Sequence, residues 1–86
     1  MELIYSTAAR NDLASFDRRL AERILDKMDH FISTPNPLRF ARPLTGLKPA
    51  THRFRIGDYR VTVAVQSERG CIIVLRVRNR KDIYES

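Results

Sequence analysis

Six arginines in the C-terminal half recur at every second position or adjoin a turn, a spacing that can gather their side chains on one side of paired β-strands. They are Arg53, Arg55, Arg60, Arg76, Arg78 and Arg80. A guanidinium group stays protonated at any usable pH and presents a planar fork of donors that matches phosphate. Six such groups on one small surface would repel each other without anions between them. The spacing therefore indicates an anion-binding surface, and RNA phosphate is a natural ligand for it.

Aromatic residues near the arginines extend this chemistry, because a nucleic-acid base can stack on an aromatic ring. Tyr59 adjoins Arg60, and Tyr84 lies in the C-terminal tail, so we expect either ring to be available for stacking. Two other roles also account for the arginines: they form a solvated strand face, or they form a docking site for an acidic partner helix. For Arg76 and Arg78 the sequence does not favour RNA binding over these alternatives.

The arginine segments have the period of two that is typical of strands with one buried face. The residues expected on the apolar side are His52, Phe54, Ile56, Tyr59, Val61, Val63 and Val65. Gly57 and Asp58 mark a turn within this pattern. The predicted strands cover residues 51–56, 58–66 and 70–78. The sequence does not fix the strand register, so a face shared by Arg53, Arg76 and their neighbours is an expectation.

The N-terminal half has the spacing of a helical hairpin preceded by a short strand. The apolar run at residues 3–5 predicts the strand, and Ser6 or Thr7 can cap the first helix by accepting from an unpaired backbone N–H. Asp17 can cap a second helix in the same way. The apolar stripe of that helix consists of Leu20, Ala21, Ile24, Leu25, Met28, Phe31 and Ile32. Pro35 ends the helix because proline has no backbone N–H to donate.

Residues 36–49 are expected to form an extended connection, held to the core by apolar side chains. Those side chains are Leu38, Phe40, Leu44 and Leu47. The predicted order is then a strand, two helices and a three-stranded antiparallel meander. This order indicates an α+β fold with the helices on one face of a small sheet, formed by residues 1–86 as a single domain.

The formal net charge of +6 belongs to the C-terminal half of the chain. Residues 1–38 carry five Lys or Arg and six Asp or Glu side chains, whereas residues 39–86 carry eleven and four. Such asymmetry indicates nucleic acid or an acidic protein as the partner.

Several other classes of protein are disfavoured. Cys71 is the one cysteine, which excludes an internal disulfide, and no Cys/His cluster has metal-ligand spacing, so we expect neither a metal nor another cofactor. We see no signal peptide and no apolar run near the roughly 18 residues of a membrane span. We therefore expect a cytoplasmic protein without a membrane partner. Cys71 is expected in the core, and Asp12 and Asp82 are expected to be surface charges.

Four segments together resemble a known family. They are YSTAAR at 5–10, LTGL at 44–47, FRIGDYRV at 54–61 and VRNRKDIY at 77–84. In this order and spacing they are similar to the RelE/ParE superfamily of bacterial toxins from type II toxin–antitoxin modules. RelE-like members cut mRNA in the ribosomal A site, whereas ParE-like members inhibit DNA gyrase. In both branches a cognate antitoxin wraps the toxin.

The RelE-like branch carries two basic residues on its second strand, an Arg that opens the third, an Arg after the fourth and a Tyr near the C-terminus. The matching residues here are Arg53, Arg55, Arg60, Arg80 and Tyr84. Because charge types are kept, the resemblance favours a ribosome-dependent mRNA endoribonuclease that uses attack by the RNA 2′-hydroxyl. It implies Arg60, Arg80 and Tyr84 as catalytic residues. The residues implied for RNA binding are Arg53, Arg55, Arg76, Arg78 and Lys81.

The general base of such a reaction is less evident. RelE-like members often have lysines where this chain has Arg53 and Arg55, and a guanidinium group does not give up its proton. The base is then Tyr84, His52, Lys81 or a ribosomal group. Positive charge around Tyr84 would favour its phenolate form. His52 falls on the apolar side by parity, so we expect it to be structural.

The resemblance leaves a second function open, a ParE-like toxin that inhibits DNA gyrase without cleaving RNA. It implies the same partner in either case, the cognate antitoxin. The nuclease would also meet the ribosome and mRNA. Operator DNA would be contacted only through the toxin–antitoxin complex.

Overall fold

The chain begins with a strand and two helices and continues mainly as strands. The computed structural model describes residues 1–84, apart from the side chain of Tyr84. The strands are β1 (Glu2–Tyr5), β2 (Ala41–Pro43), β3 (His52–Ile56), β4 (Tyr59–Gln66) and β5 (Cys71–Asn79). The helices are α1 (Thr7–Ala14), α2 (Arg18–Ser33) and α3 (Arg80–Tyr84). None of these helices is long and apolar enough to cross a membrane.

Side-chain caps set the starts of the first two helices. The Ser6 hydroxyl accepts from the Ala9 N–H at 3.0 Å, and the Asp17 carboxylate accepts from the Arg19 N–H at 2.7 Å. Each contact satisfies one of the backbone donors that a helix start leaves unpaired. The predicted cap at Asp17 is confirmed, and of the two candidates for α1 the structure uses Ser6.

The sheet has five strands in the order β1-β5-β4-β3-β2. β1 runs parallel to β5, and every other pair is antiparallel. The predicted meander of three strands is confirmed, and β2 adds a fourth strand to it. The prediction of residues 36–49 as a plain connection is wrong at this point, since a 3-10 turn at Pro37–Phe40 leads into β2. A three-residue strand that contains a proline has no periodicity of its own, so only its pairing with β3 defines it.

Helices α1 and α2 pack against the same face of the sheet. Their buried residues are Ala9, Leu13, Ile24, Met28 and Phe31. The strand residues in the same core are Phe54, Ile56, Val61, Val63, Ile72, Val74 and Val77. Because successive strand residues point to opposite sides, the arginines between them lie on the face away from the helices. The predicted α+β fold, with helices on one face of the sheet, is confirmed.

A β-bulge changes the alternation on β5. Thr62 of β4 lies opposite Arg76, but the next residue, Val63, lies opposite Val74, so Leu75 has no partner on β4. The bulge shifts parity by one residue and brings Val74 to the core face together with Val77. The alternation therefore holds on each side of Leu75 but with opposite parity, so a single alternation along the whole strand is wrong.

Candidate nucleic-acid interface

The strand register gathers the predicted arginines into two adjacent rows. In one row Arg53 lies opposite Thr62, and Thr62 lies opposite Arg76. In the other, Arg55, Arg60 and Arg78 are consecutive cross-strand partners. Directly opposed residues share a face and have Cβ atoms about 4.5–5.5 Å apart. The expectation of a common face is thus confirmed for five of the six predicted arginines, whereas Arg80 follows the end of β5.

Arg42 extends the first row, because it lies opposite Arg53 on β2. Together these residues form what we call the arginine face. Its members are Arg42, Arg53, Arg55, Arg60, Arg76 and Arg78. The sequence analysis missed Arg42, which lies in the segment taken for a plain connection.

Arg60 is fixed at the turn between β3 and β4. Its Nη1 donates to the carbonyl oxygens of Gly57 at 3.0 Å and Tyr59 at 3.1 Å. These two bonds use Nη1 alone, so Nε–H and the Nη2 group have no acceptor among the contacts of the described residues. A donor fork held by its own turn needs little reorganisation to bind an anion.

The turn itself depends on a glycine. Gly57 has a φ of +57°, in the left-handed region that residues with a Cβ rarely adopt. In addition, Nη2 of Arg23 from α2 lies 2.7 Å from the position that a Cβ would occupy. Gly57 thus permits both the turn conformation and the close approach of the Arg23 side chain. The turn in turn sets the position of Arg60.

Arg76 differs from the other arginines because it is ion-paired with Asp12 of α1. The Asp12 carboxylate accepts from Nε of Arg76 at 2.8 Å, from its Nη2 at 2.9 Å and from the Val77 N–H at 2.9 Å. Only 15% of the Asp12 side chain is exposed. The expectation that Asp12 is a surface charge is therefore wrong, since Asp12 ties α1 to β5 beyond the end of β1.

The ion pair changes the titration of both partners. Burial raises the pKa of the Asp12 carboxyl, but this effect is outweighed by hydrogen bonds from Arg76 and Val77 and by the charges of Arg76 and Arg78. The net result is a pKa below the usual value. The hydrogen bond to Asp12 in turn raises the pKa of the Arg76 guanidinium group. Arg76 is accordingly held by the fold, while the predicted role of Arg76 in RNA binding stays a prediction.

Arg80 and Lys81 begin the short helix α3 and are exposed. Arg80 does not continue the strand alternation, but its N–H donates to the Asp58 carbonyl at 2.8 Å. This bond joins the start of α3 to the turn that holds Arg60, so the predicted pair of Arg60 and Arg80 shares one end of the sheet. The side chain of Tyr84, predicted to be catalytic, lies outside the described residues.

Tyr59 is not available to a base on the arginine face. Its ring packs edge-on against Phe16, with centroids 5.1 Å apart, on the helix side of the sheet. The expectation of stacking at Tyr59 is therefore wrong, and parity already pointed to this outcome because Tyr59 alternates with Arg60.

An exposed aromatic residue that the sequence analysis assigned to the core lies next to the arginine face. Phe40 is 39% exposed, and it lines a cleft of about 400 Å³ together with arginines. The arginines of the cleft are Arg39, Arg42, Arg53, Arg55 and Arg60. The expectation that Phe40 and Leu47 hold the connection to the core is wrong in part, since Leu47 is 51% exposed. The run Arg39-Phe40-Ala41-Arg42, an aromatic residue between arginines, was the available signal.

Neither arginine row contains a histidine or a carboxylate, since its members are arginines and Thr62. His52 lies on the helix side, as expected, with Nδ1 3.0 Å from the Thr51 hydroxyl oxygen. Within residues 1–84 no group of three or more His, Cys, Asp or Glu side chains is placed to hold a metal ion. Cys71 is a free, buried thiol, as expected. The arrangement thus provides cationic groups for binding an anion, while the base stays unassigned.

Comparison with known proteins gives concordant results. Residues 3–84 match the family model described as the ParE toxin of the type II toxin–antitoxin system parDE. The chain is 31% identical over 80 residues to Toxin RelG of Mycobacterium tuberculosis, a match that covers 93% of this chain and 91% of that protein.

Solved structures are similar over the same length. The RelBE2 toxin–antitoxin complex of Mycobacterium tuberculosis contains a chain with a TM-score of 0.80 and 28% identity, covering 92% of this chain and 90% of that one. The archaeal RelE-RelB complex of Pyrococcus horikoshii gives a TM-score of 0.72 and 26% identity, with coverage of 92% and 93%.

Proposed function

The chain belongs to the RelE/ParE superfamily of type II toxins, and from this premise we propose that it is a ribosome-dependent mRNA endoribonuclease that inhibits translation in the cytoplasm. The observation that carries the proposal is the row of Arg55, Arg60 and Arg78 on three adjacent strands. Three guanidinium groups side by side, with no carboxylate in the row, form a site for phosphate.

The proposed reaction is an internal phosphoryl transfer. The RNA 2′-oxygen forms a bond to the adjacent phosphorus while the bond to the 5′-oxygen breaks, leaving a 2′,3′-cyclic phosphate and a free 5′-hydroxyl group. A base takes the 2′ proton, and an acid returns one to the leaving oxygen. No metal or cofactor takes part.

Arg60 and Arg80 bind the phosphate oxygens and stabilise the negative charge that grows on them. A preorganised donor of this kind lowers the activation barrier by about 2.7–4 kcal/mol. The ribosome contributes by holding the mRNA in line for attack, an effect worth at most about 7–11 kcal/mol. Arg53, Arg55, Arg78 and Lys81 bind flanking phosphates, and Arg76 adds its charge while it stays paired with Asp12.

The proton-transfer groups come from the C-terminal helix or from the ribosome. His52 lies opposite the core residue Val63, on the helix side of the sheet, so we do not assign it as the base. Tyr84 or Lys81 then serves as the acid–base residue, and Tyr84 is the one we assign, because the RelE-like branch carries a tyrosine at this place.

A cognate antitoxin is the proposed inhibitor. The solved relatives from Mycobacterium tuberculosis and Pyrococcus horikoshii are complexes of toxin and antitoxin. Apart from Arg76, which is paired with Asp12, no arginine of the arginine face forms a salt bridge among the described residues. An acidic antitoxin segment can therefore bind this surface and occlude the RNA site. Operator DNA is contacted only through that complex.

The proposal is tested by mapping mRNA breaks in a translating extract with the purified chain. The wild type should cut mRNA at ribosome-bound codons, and Arg60→Ala should reduce the cleavage rate by about 10²–10³-fold. Arg69→Ala, an equal change of charge at the exposed β4–β5 turn, is the matched control and should cut normally. Inhibition of translation in the extract with intact mRNA would contradict the proposal.

A second candidate function, inhibition of DNA gyrase, is favoured by the family model that matches residues 3–84, since its description is that of a ParE toxin. A supercoiling assay with purified gyrase distinguishes the two. Inhibition by the wild-type chain, without mRNA cleavage in the extract, would establish this candidate in place of the nuclease.

A further inference from the structure

The cleft beside β2 has a composition that the proposed reaction does not require. It lies where β2 begins, since Ala41 is the first residue that pairs with β3 and Arg55 lies past the end of that pairing. Five arginines and Phe40 line its walls. Among the described residues that line the cleft none is acidic, so its positive charge lacks an internal partner.

Phe40 reaches this surface at the end of a column of stacked rings. The buried ring of Phe54 stacks on Phe31 at a centroid distance of 5.3 Å, and Phe31 stacks on Phe40 at 4.7 Å. The outermost ring thus has one face supported by the core, while 39% of the residue stays exposed. A ring fixed in this way loses little conformational entropy when a planar group packs on it.

The cationic groups around the ring suit a nucleotide. The Arg39 guanidinium group lies over the Phe40 ring, with its carbon 5.6 Å from the ring centroid. A base therefore meets the ring and this group as one platform, and it packs on the guanidinium plane or displaces it from the ring. Arg42 and Arg53 are direct cross-strand partners, which brings two guanidinium groups within reach of a single phosphate. A base on the platform and its phosphate on the arginine pair would fill the cleft.

We propose that this cleft is a subsite for one nucleotide of single-stranded RNA, with its base stacked on Phe40 and its phosphate held by Arg42 and Arg53. A single strand is required because the bases of a duplex are already stacked on each other. The choice of RNA as the ligand of this subsite rests on the proposed function. It lies beside Arg60, so it would hold a nucleotide that flanks the cleaved phosphate and would contribute to the choice of cleavage site.

The test is fluorescence anisotropy at low salt with the full chain and a labelled RNA hexanucleotide. Phe40→Leu keeps an apolar contact with Phe31 but removes the ring, and it should weaken binding roughly 5- to 140-fold. Phe40→Trp should bind at least as tightly as the wild type. Leu47→Ala, which trims an exposed apolar residue outside the cleft, is the control and should bind normally. Arg42→Gln should reduce the salt dependence of log K by about one, whereas Arg69→Gln should not.

An RNA hexanucleotide with abasic positions separates stacking from charge. The wild type should bind this abasic RNA more weakly than the intact RNA. The Phe40→Leu variant should bind both RNAs with equal affinity. Equal affinity of the wild type and Phe40→Leu for intact RNA, or no binding by the wild type, would overturn the proposal. Loss of acidic-peptide binding without loss of RNA binding in Phe40→Leu would also overturn it, because the cleft would then be a protein-docking site.

The experiments can refute the subsite and the nuclease activity independently of each other. A chain that binds RNA through Phe40 but leaves mRNA intact in the translating extract retains the subsite and refutes the nuclease. A chain that cuts mRNA, with Phe40→Leu unchanged in both binding and cleavage position, retains the nuclease and refutes the subsite.

Discussion

Replacing Asp12 with Asn should destabilise the fold much more than the same change in an exposed ion pair. The carboxylate of Asp12 accepts three hydrogen bonds, two from Arg76 and one from the backbone N–H of Val77. Asn keeps the shape and one acceptor oxygen. It loses the negative charge, however, and turns one acceptor into a donor that faces the Arg76 guanidinium group.

The expected loss is about 2 kcal/mol of unfolding free energy. Hydrogen bonds to charged groups contribute about 1.5–3 kcal/mol, whereas exposed ion pairs contribute about 0–1 kcal/mol. The Asp12 side chain is 15% exposed and that of Arg76 is 42% exposed, so water can rehydrate the guanidinium group and the value for a fully buried pair does not apply. A loss of about 2 kcal/mol lowers the Tm of a domain of this size by roughly 8–16 °C.

The effect should depend on pH in one direction. The pKa of Asp12 is lowered in the folded chain, so its contribution is fully present above the unfolded pKa of about 3.9 and is lost as the pH falls through the folded pKa. The difference in stability between the wild type and Asp12→Asn should stay constant from about pH 5 to 8 and shrink in acid.

The assay is thermal or urea unfolding followed by circular dichroism, with Glu22→Gln as the control. Glu22 pairs with Arg18 at 3.0 Å on the surface of α2, where the two side chains are 58% and 91% exposed. The control should lose less than about 0.5 kcal/mol. Equal losses for the two variants, or a difference that persists unchanged at acid pH, would refute the reasoning.

Three further predictions concern single residues. The stability change in each is measured by the same unfolding assay. Tyr5→Phe should be neutral or slightly stabilising, because the Tyr5 hydroxyl oxygen is buried without a hydrogen-bond partner among the described residues. Burial and the charge of Asp29 raise the pKa of Tyr5 to about 12. In an absorbance titration the variant should therefore lack the tyrosine ionisation that occurs at the highest pH in the wild type. Ser6→Ala should cost about 1–2 kcal/mol, because the hydroxyl both caps α1 and donates to the Leu75 carbonyl at 3.0 Å, and Ser6→Thr, which keeps the hydroxyl, should recover part of it. Gly57→Ala should cost about 1–2 kcal/mol because of its positive φ, and a neutral result would show that the turn relaxes freely.

The order of elements and the existence of the arginine face follow from local patterns in the sequence. Caps at Ser6 and Asp17 act within one helical turn, and the alternation around Phe54 requires only neighbouring residues to point to opposite sides of a strand. Short-range rules of this kind can be applied to a sequence directly. They were sufficient for the α+β order, for the start of α2, for the start of α1 to within one residue, and for the side of the sheet on which Arg53, Arg55 and Arg60 lie.

Features that depend on pairing between distant segments were decided only by the tertiary structure. Strand β2 exists because Ala41 meets Phe54 across the sheet, and the bulge at Leu75 is defined by β4 alone. Asp12 looks like any helix-surface carboxylate until α1 is laid along β5, where it meets a strand N–H that β1 is too short to cover. Phe40 likewise looks like a core residue until its ring is placed outermost in a stack. In each case the free energy comes from a contact between residues far apart in the chain, and neither periodicity nor composition records such a contact.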